Sequence, residues 1–417
     1  MKAAVDQQVS LAPSIEDIRA QFPILHQQVN GKQLIYFDNA ATTQKPSVVV
    51  EAISNYYNQY NANIHRGIHA LAEKATAAYE ETRLEIQKFL NAPEAEEIIF
   101  TSGTTSGINL VSNGYGRKFL QPGDEVLISE MEHHANIVPW QMICQEKGAR
   151  LKVVPIDDEG NLMMDAFQKL LTKKTRIVAI NHISNTLGTI NPVKEIVRMS
   201  HSAGAVVLLD GAQAVAHIDV DVQDLGCDFY VFSAHKLFGP TGVGVLYGKR
   251  ALLESMEPFQ GGGEMIAEVT FEKTTYNEIP HKFEAGTPNI ADVIATKTAI
   301  QFVDSLGSKD LLWEHEQHLL RSATEQLAAI PGLKLIGTAK EKIGVVSFVL
   351  EGMHHFDIGM MLDARGIAVR TGHHCTQPLM QRYGIEGTVR ASFSVYNTLN
   401  EVTIFAENLE QITAKWR

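Results

Sequence analysis

Between about residues 35 and 250 the chain alternates short apolar runs with longer stretches of helical periodicity. The apolar runs are "EIIF", "EVLIS", "RLKVVPI", "RIVAINHI", "AVVLLD", "DFYVFS" and "GVGVLY". The helical stretches include "SVVVEAISNYYNQY", "ALAEKATAAYEETRLEIQKFL" and "NPVKEIVRMSHSA". A strand that is apolar at nearly every position must be covered on both faces, and only flanking helices provide that cover. The alternation therefore predicts an α/β fold with a mostly parallel central sheet between layers of helices.

After about Ile300 the pattern changes. A long helix is expected around "LLWEHEQHLLRSATEQLAAI", then the strand "GVVSFVL", a helix "HFDIGMMLDARG", the strand "IAVR" and a terminal helix "LNEVTIFAENLEQITAKW". This reads as a smaller α+β domain. The expected division is an N-terminal segment (1–30) packing with the small domain, a large domain (31–300) and a small C-terminal domain (301–417).

Several function classes are disfavoured early. The formal charge of -12 argues against nucleic acid or anionic membrane as partners. No apolar run reaches 18 residues, so no membrane span is expected. The first residues, "MKAAVDQQVSLAPSIEDI", lack the apolar core of a secretory signal. Cys144, Cys227 and Cys375 are odd in number and far apart, which is no disulfide framework. A cytoplasmic setting is expected.

Four features gather around Lys236. Asp210 ends the run "AVVLLD" and precedes Gly211. Ligands of open α/β sheets sit beyond the carboxyl ends of strands. There a carboxylate pairs with a buried cation such as a pyridinium nitrogen, or it merely caps a helix. In "FTSGTTSGIN" a strand gives way to a Gly/Ser/Thr loop that opens a helix. Backbone N–H groups there, with the Thr104 and Thr105 hydroxyls, form an anion cradle suited to phosphate, or simply a helix cap. His133 and His134 follow "EVLIS"; a ring here stacks on a flat cofactor, or is structural. Adjacent histidines make a poor metal site. In "FSAHKL" Ser233 and His235 are donors beside Lys236 of a kind suited to phosphate, unless the lysine is simply solvated. A lysine desolvated among cationic neighbours becomes a nucleophile toward carbonyls.

A fifth feature lies in the small domain. In "GIAVRTGHHCTQP" Cys375 sits in a loop after a strand. Neighbouring His373 and His374 would favour its reactive thiolate. The alternative is an inert buried cysteine, the reading that suits Cys144 and Cys227, or a metal cluster.

Taken in order, the Ser/Thr loop, the histidine, the strand-end aspartate and the lysine resemble fold-type I enzymes that bind pyridoxal phosphate, within the class V aminotransferase-like branch. With "YFDNAATTQKP", "NANIHRGIHALA", "EHHANIVPW", "DGAQAV", "FSAHKLFGPTGVG", "FEAGTPN" and "VRASFSVYNT", the chain is very similar to group II cysteine desulfurases of the SufS type. The motifs span about residues 36–398.

The resemblance implies roles for particular side chains. Lys236 would carry pyridoxal 5'-phosphate as a Schiff base, and Asp210 would pair with its ring nitrogen. His133 would stack on the ring, with Gln213 and Asn185 near the ring oxygen. Thr105, Ser233 and His235 would hold the phosphate, beside Thr104, and Thr287 would reach the phosphate of the other subunit. Arg390, with Arg370 and Asn185, would bind the carboxylate of L-cysteine, and no metal is implied. Cys375 would take the sulfur as a persulfide and release L-alanine. A homodimer and a sulfur-acceptor protein of SufE or SufU type, serving iron–sulfur cluster assembly, are implied partners. Rival readings are a selenocysteine lyase or another class V enzyme, a non-catalytic sulfur-relay protein, and a zinc-binding regulator around "HHC".

Overall fold

The computed structural model describes residues 13–416; residues 1–12 of the expected N-terminal segment lie outside them. The central sheet has seven strands. They are β1 (Ile98–Thr101), β2 (Glu125–Ser129), β3 (Arg150–Val154), β4 (Thr175–Asn181), β5 (Val206–Asp210), β6 (Phe229–Ser233) and β7 (Gly244–Gly248). Their spatial order is β1-β7-β6-β5-β4-β2-β3. Strand β7 runs antiparallel to both of its neighbours, whereas the pairs joining β6, β5, β4, β2 and β3 are parallel.

The strands β1, β2, β4, β5 and β6 are apolar on both sides for the reason the sequence suggested, whereas the edge strand β3 is partly exposed. Phe100, Leu127, Val178, Leu209 and Phe232 face one buried core. Their immediate neighbours Ile99, Ile128, Ala179, Leu208 and Val231 face a second core on the opposite side. This is the two-residue period of a strand expressed in two cores rather than in one core and solvent.

The long helix Lys309–Ala328 leads into a second, four-stranded sheet. Its strands are β8 (Leu333–Ile336), β9 (Val345–Leu350), β10 (Arg370–Gly372) and β11 (Thr388–Ser392), in the order β8-β9-β11-β10. All pairs are antiparallel. The terminal helix Leu399–Trp416 covers it, burying Val402, Phe405 and Leu409.

The expected single strand "IAVR" is divided. Ile367–Ala368 pairs in parallel with Ile35–Tyr36, and Arg370–Gly372 pairs with β11. The partner segment 35–36 is remote in sequence, so the break was not visible locally. The described part of the N-terminal segment is anchored there too. Arg19 bonds the Tyr396 carbonyl and pairs with Glu401 at 2.9 Å, and Asn30 donates to the Asp363 carbonyl. Phe22 packs edge-on against Phe302 and Tyr396. Among the described residues no helix is long and apolar enough to cross a membrane.

Candidate active site

The carboxyl ends of β1, β2, β4, β5 and β6 open on one cavity. It is lined by Thr104 and Thr105 after β1, His133 after β2, Asn185 after β4, Asp210 and Gln213 around the end of β5, and Ser233, His235 and Lys236 at the end of β6. The second sheet closes it with Arg370, Cys375 and Arg390. Thr287 is not among the residues lining it.

Lys236 ends a short 3-10 turn directly after β6. The turn is gripped by the segment "TTQK". The His235 carbonyl accepts the Thr43 N–H at 3.1 Å, the Thr42 hydroxyl at 3.0 Å and Lys45 Nζ at 2.9 Å. The Thr43 hydroxyl in turn accepts the N–H of Phe238, whose φ is +58°. Enclosure by protein brings the Lys236 amine down to about 8, against the pull of Asp210, which favours its charge. About a tenth of this amine is therefore neutral at pH 7, far more than for an ordinary lysine.

Burial pushes the Asp210 carboxyl upward. Its Oδ1 accepts the Ala212 N–H at 2.9 Å. The adjacent Gly211 cannot be replaced without rearrangement, since a Cβ there would lie 2.1 Å from the Tyr230 ring.

At the other end of the cavity, Gly103 takes φ +147° and leads into helix Thr104–Val111. That backbone is essentially confined to glycine. The Thr104 N–H donates to Ser233 Oγ at 2.8 Å, and the two hydroxyls also bond at 2.8 Å. Ser233 thus fastens the helix start to β6. The next N–H groups of the first turn have no partner within the helix and suit an anion. His235 is kept neutral, its basicity lowered to about 4 by burial and by Lys236.

His133 accepts the Ala135 N–H on Nδ1 at 3.0 Å, so its proton resides on Nε2. Burial first, then Lys236, lowers it to about 3. It is a flat, neutral ring. Gln213 donates its amide to the Ala40 carbonyl at 2.8 Å, and Asn185 donates to the His374 carbonyl at 2.8 Å.

Arg390, on β11, is almost completely buried. It donates to the Asn185 carbonyl at 2.8 Å and pairs with Asp38 at 3.1 Å. Arg370 reaches the other oxygen of Asp38 at 3.4 Å. Cys375 is exposed at the cavity mouth, unlike the buried Cys144 and Cys227. His374 does not supply it with positive charge, contrary to the sequence expectation. Burial beside Arg390 lowers that imidazole to about 2, and its Nε2 bonds the Thr388 hydroxyl at 2.7 Å. Lys236 and Arg390 are both cations whose charge is coupled to Cys375.

One supporting residue escaped the sequence reading, and so did the partner of another that it had named. Asp38 pairs with both arginines, and His134 contacts the Cys375 loop through Gln377. Their motifs were visible, but nothing local assigns a partner hundreds of positions away. Among the described residues no three His, Cys, Asp or Glu side chains are grouped to hold a metal ion.

The donor set fits pyridoxal phosphate. Asn185 Oδ1 and Arg390 Nε are buried at the cavity without a partner, and such orphaned groups are costly unless a ligand meets them. A buried carboxylate, a low-basicity lysine and a helix start match a cationic ring nitrogen, an aldehyde and a phosphate.

A class-V aminotransferase family model matches residues 35–405. The chain belongs to that family, whose cofactor is pyridoxal phosphate. Within it the chain falls among the cysteine desulfurases. It is 50% identical to a cysteine desulfurase of Klebsiella pneumoniae subsp. pneumoniae, over 96% of this chain and 98% of that one. It is 53% identical to a cysteine desulfurase of Synechococcus elongatus, covering 95% of this chain and 63% of that one. The chain spans only 58–65% of the length of that relative and of two mycobacterial ones. The solved cysteine desulfurase CsdA of Escherichia coli superposes with a TM-score of 0.89 at 40% identity, covering 96% of this chain and 99% of that one.

Proposed function

We propose that this protein is a cysteine desulfurase of the SufS type that converts L-cysteine to L-alanine and leaves the sulfur as a persulfide on Cys375. The observation that carries this is the meeting of Cys375 with Lys236 and Arg390 around one cavity. The turn after β6, strand β11 and the loop after β10 contribute a proton-transfer amine, a carboxylate receptor and a thiol.

When bound to Lys236, pyridoxal phosphate supplies the electron sink that labilises the substrate's Cα–H and Cβ–S bonds. Asp210 would pair with the protonated ring nitrogen, and the neutral His133 ring would cover the cofactor's face. Arg390, a planar fork, holds the substrate carboxylate, with Arg370 beside it. Lys236 Nζ, a low-basicity amine at the cavity, would take the Cα proton. Cys375 Sγ attacks the substrate sulfur as the Cβ–S bond breaks. The carbon keeps that electron pair and gains a proton, so thiol plus L-cysteine becomes persulfide plus L-alanine.

The reading extends to a cytoplasmic homodimer that passes sulfur to an acceptor protein of SufE or SufU type for iron–sulfur cluster assembly. Support comes from the exposure of Cys375, which leaves its sulfur within reach of a partner. Thr287, absent from its own chain's cavity, suits a role toward the phosphate of a second subunit. The test is to incubate the purified protein with L-cysteine and a thiol reductant. Alanine and sulfide should appear in equal amounts. Release of sulfide with pyruvate and ammonia instead of alanine would overturn the assignment.

A further inference from the structure

The loop that carries Cys375 is built against its own preferences. His374 and Cys375 take φ of +52° and +57° in succession. Two neighbouring non-glycine residues in the left-handed region are held there by their surroundings, not by local choice. The helix that follows, Gln377–Tyr383, also begins without a cap of its own, because Thr376 makes no side-chain bond to its first turn. The Thr376 hydroxyl is spent on the His373 carbonyl and on Thr186.

His134 meets both needs from the other sheet. Its backbone N–H donates to the Cys375 carbonyl at 2.7 Å. Its ring Nε2 accepts the Gln377 N–H at 3.0 Å. One residue thus grips the chain at Cys375 itself and again two residues further on, and its imidazole caps the helix in place of a local residue. Its neighbour His133 lines the cavity beside Lys236.

We propose that His134 is a positioning residue: by accepting the Gln377 N–H it fixes the Cys375 loop to the cofactor end of the large sheet and so places the thiol for attack on the substrate sulfur. This rests on the desulfurase reading for the attack, but not for the clasp itself. The role belongs to an acceptor atom at the Nε2 position. Glutamine can present a carbonyl oxygen at that reach, and leucine cannot.

The test compares wild type with His134→Leu and His134→Gln in the pyridoxal phosphate-loaded protein. Two quantities are read by mass spectrometry. One is amide hydrogen exchange across Thr376–Met380 without substrate. The other is the single-turnover rate of persulfide formation on Cys375 with L-cysteine. His134→Leu should exchange ~10-fold faster and form persulfide ~10-fold more slowly, the size of one lost hydrogen bond. Its cofactor absorbance should stay that of wild type. His134→Gln should lie within about 3-fold of wild type in both readouts. An unchanged persulfide rate in His134→Leu, or a His134→Gln as impaired as His134→Leu, overturns the proposal. Should His134→Leu fail to fold, His134→Asn replaces it, since its shorter amide stops short of Gln377 and predicts the same losses. If wild type itself forms no persulfide, the desulfurase reading fails, and exchange alone then decides whether the clasp exists.

Discussion

Arg390 and Asp38 form a pair at 3.1 Å across 352 positions of sequence. The guanidinium is almost completely buried, and its other bond goes to the Asn185 carbonyl. Burial lowers Arg390 to about 10, and Asp38 is the main influence opposing that. Removing one partner of such a pair leaves a charge stranded in protein. Asp38→Ala should therefore lower the melting temperature by several degrees, corresponding to ~2–3 kcal/mol. Calorimetry in parallel with wild type checks this, and an unchanged melting temperature would mean that Arg390 is neutralised elsewhere.

Arg390→Lys keeps the charge but loses the fork. A lysine has no planar pair of donors with which to serve Asn185, Asp38 and a carboxylate together. KM for L-cysteine should rise by ~10-fold or more, with a smaller loss in kcat. Steady-state alanine production measures both, and a KM within error of wild type would remove Arg390 from substrate recognition.

Lys236 titrates near 8 because it is enclosed. Capture of an aldehyde needs the neutral amine. In cofactor-stripped protein the rate of pyridoxal phosphate capture should climb with pH and level off just above 8, not near the ~10.4 of an ordinary lysine. Stopped-flow absorbance between pH 6 and 10 gives the profile. A rate still rising steeply at pH 10 would show an unperturbed lysine.

Much of this arrangement was legible before the fold. The near-continuous apolar runs demanded two covered faces, and Phe100/Ile99 and Leu209/Leu208 do face opposite cores. Lys236, Asp210 and His133 stood out because strand ends and Gly-rich loops mark where a ligand meets an α/β sheet, and Cys375 because it sits in a small-domain loop beside two histidines. The reversed direction of β7 was not legible, since burial on both faces asks for the same side chains whichever way a strand runs. The divided strand at 367–372, Asp38 and the contact of His134 with the Cys375 loop escaped for a different reason: each is defined by a distant partner. The expected help of His374 to Cys375 failed because its basicity depends on burial, which adjacency in sequence does not report.

Buried imidazoles also set the acid limit. Burial, as the largest cause, lowers His133 to about 3, His182 and His235 to about 4 and His374 to about 2. Unfolded histidines titrate near ~6.5. Below that pH the unfolded chain binds more protons than the folded one, so stability is complete above it and is lost as pH falls toward the folded values. The melting temperature should drop steadily from pH 7 to pH 5. His374→Gln, which removes one of these groups, should show a shallower slope even if its absolute stability is lower. A flat profile in wild type would contradict neutral burial.

Asp210→Asn keeps the shape of the cavity but removes the buried negative charge opposite the ring nitrogen. Exchange of the substrate Cα proton with deuterated solvent should slow by ~100-fold or more, because that charge sustains the electron sink. Nuclear magnetic resonance of recovered cysteine or alanine reads the exchange. Undiminished exchange would take Asp210 out of the chemistry.

The central claim is that the sulfur of L-cysteine lands on Cys375, and the mass of the Cys375 peptide after brief treatment with L-cysteine tests it most directly. Wild type should carry one added sulfur on that peptide and none on those containing Cys144 or Cys227, which are buried. Cys375→Ser should keep the absorbance of the bound cofactor, carry no added sulfur and lose nearly all alanine production. Added sulfur on Cys144 or Cys227, or full alanine production by Cys375→Ser, would contradict the account.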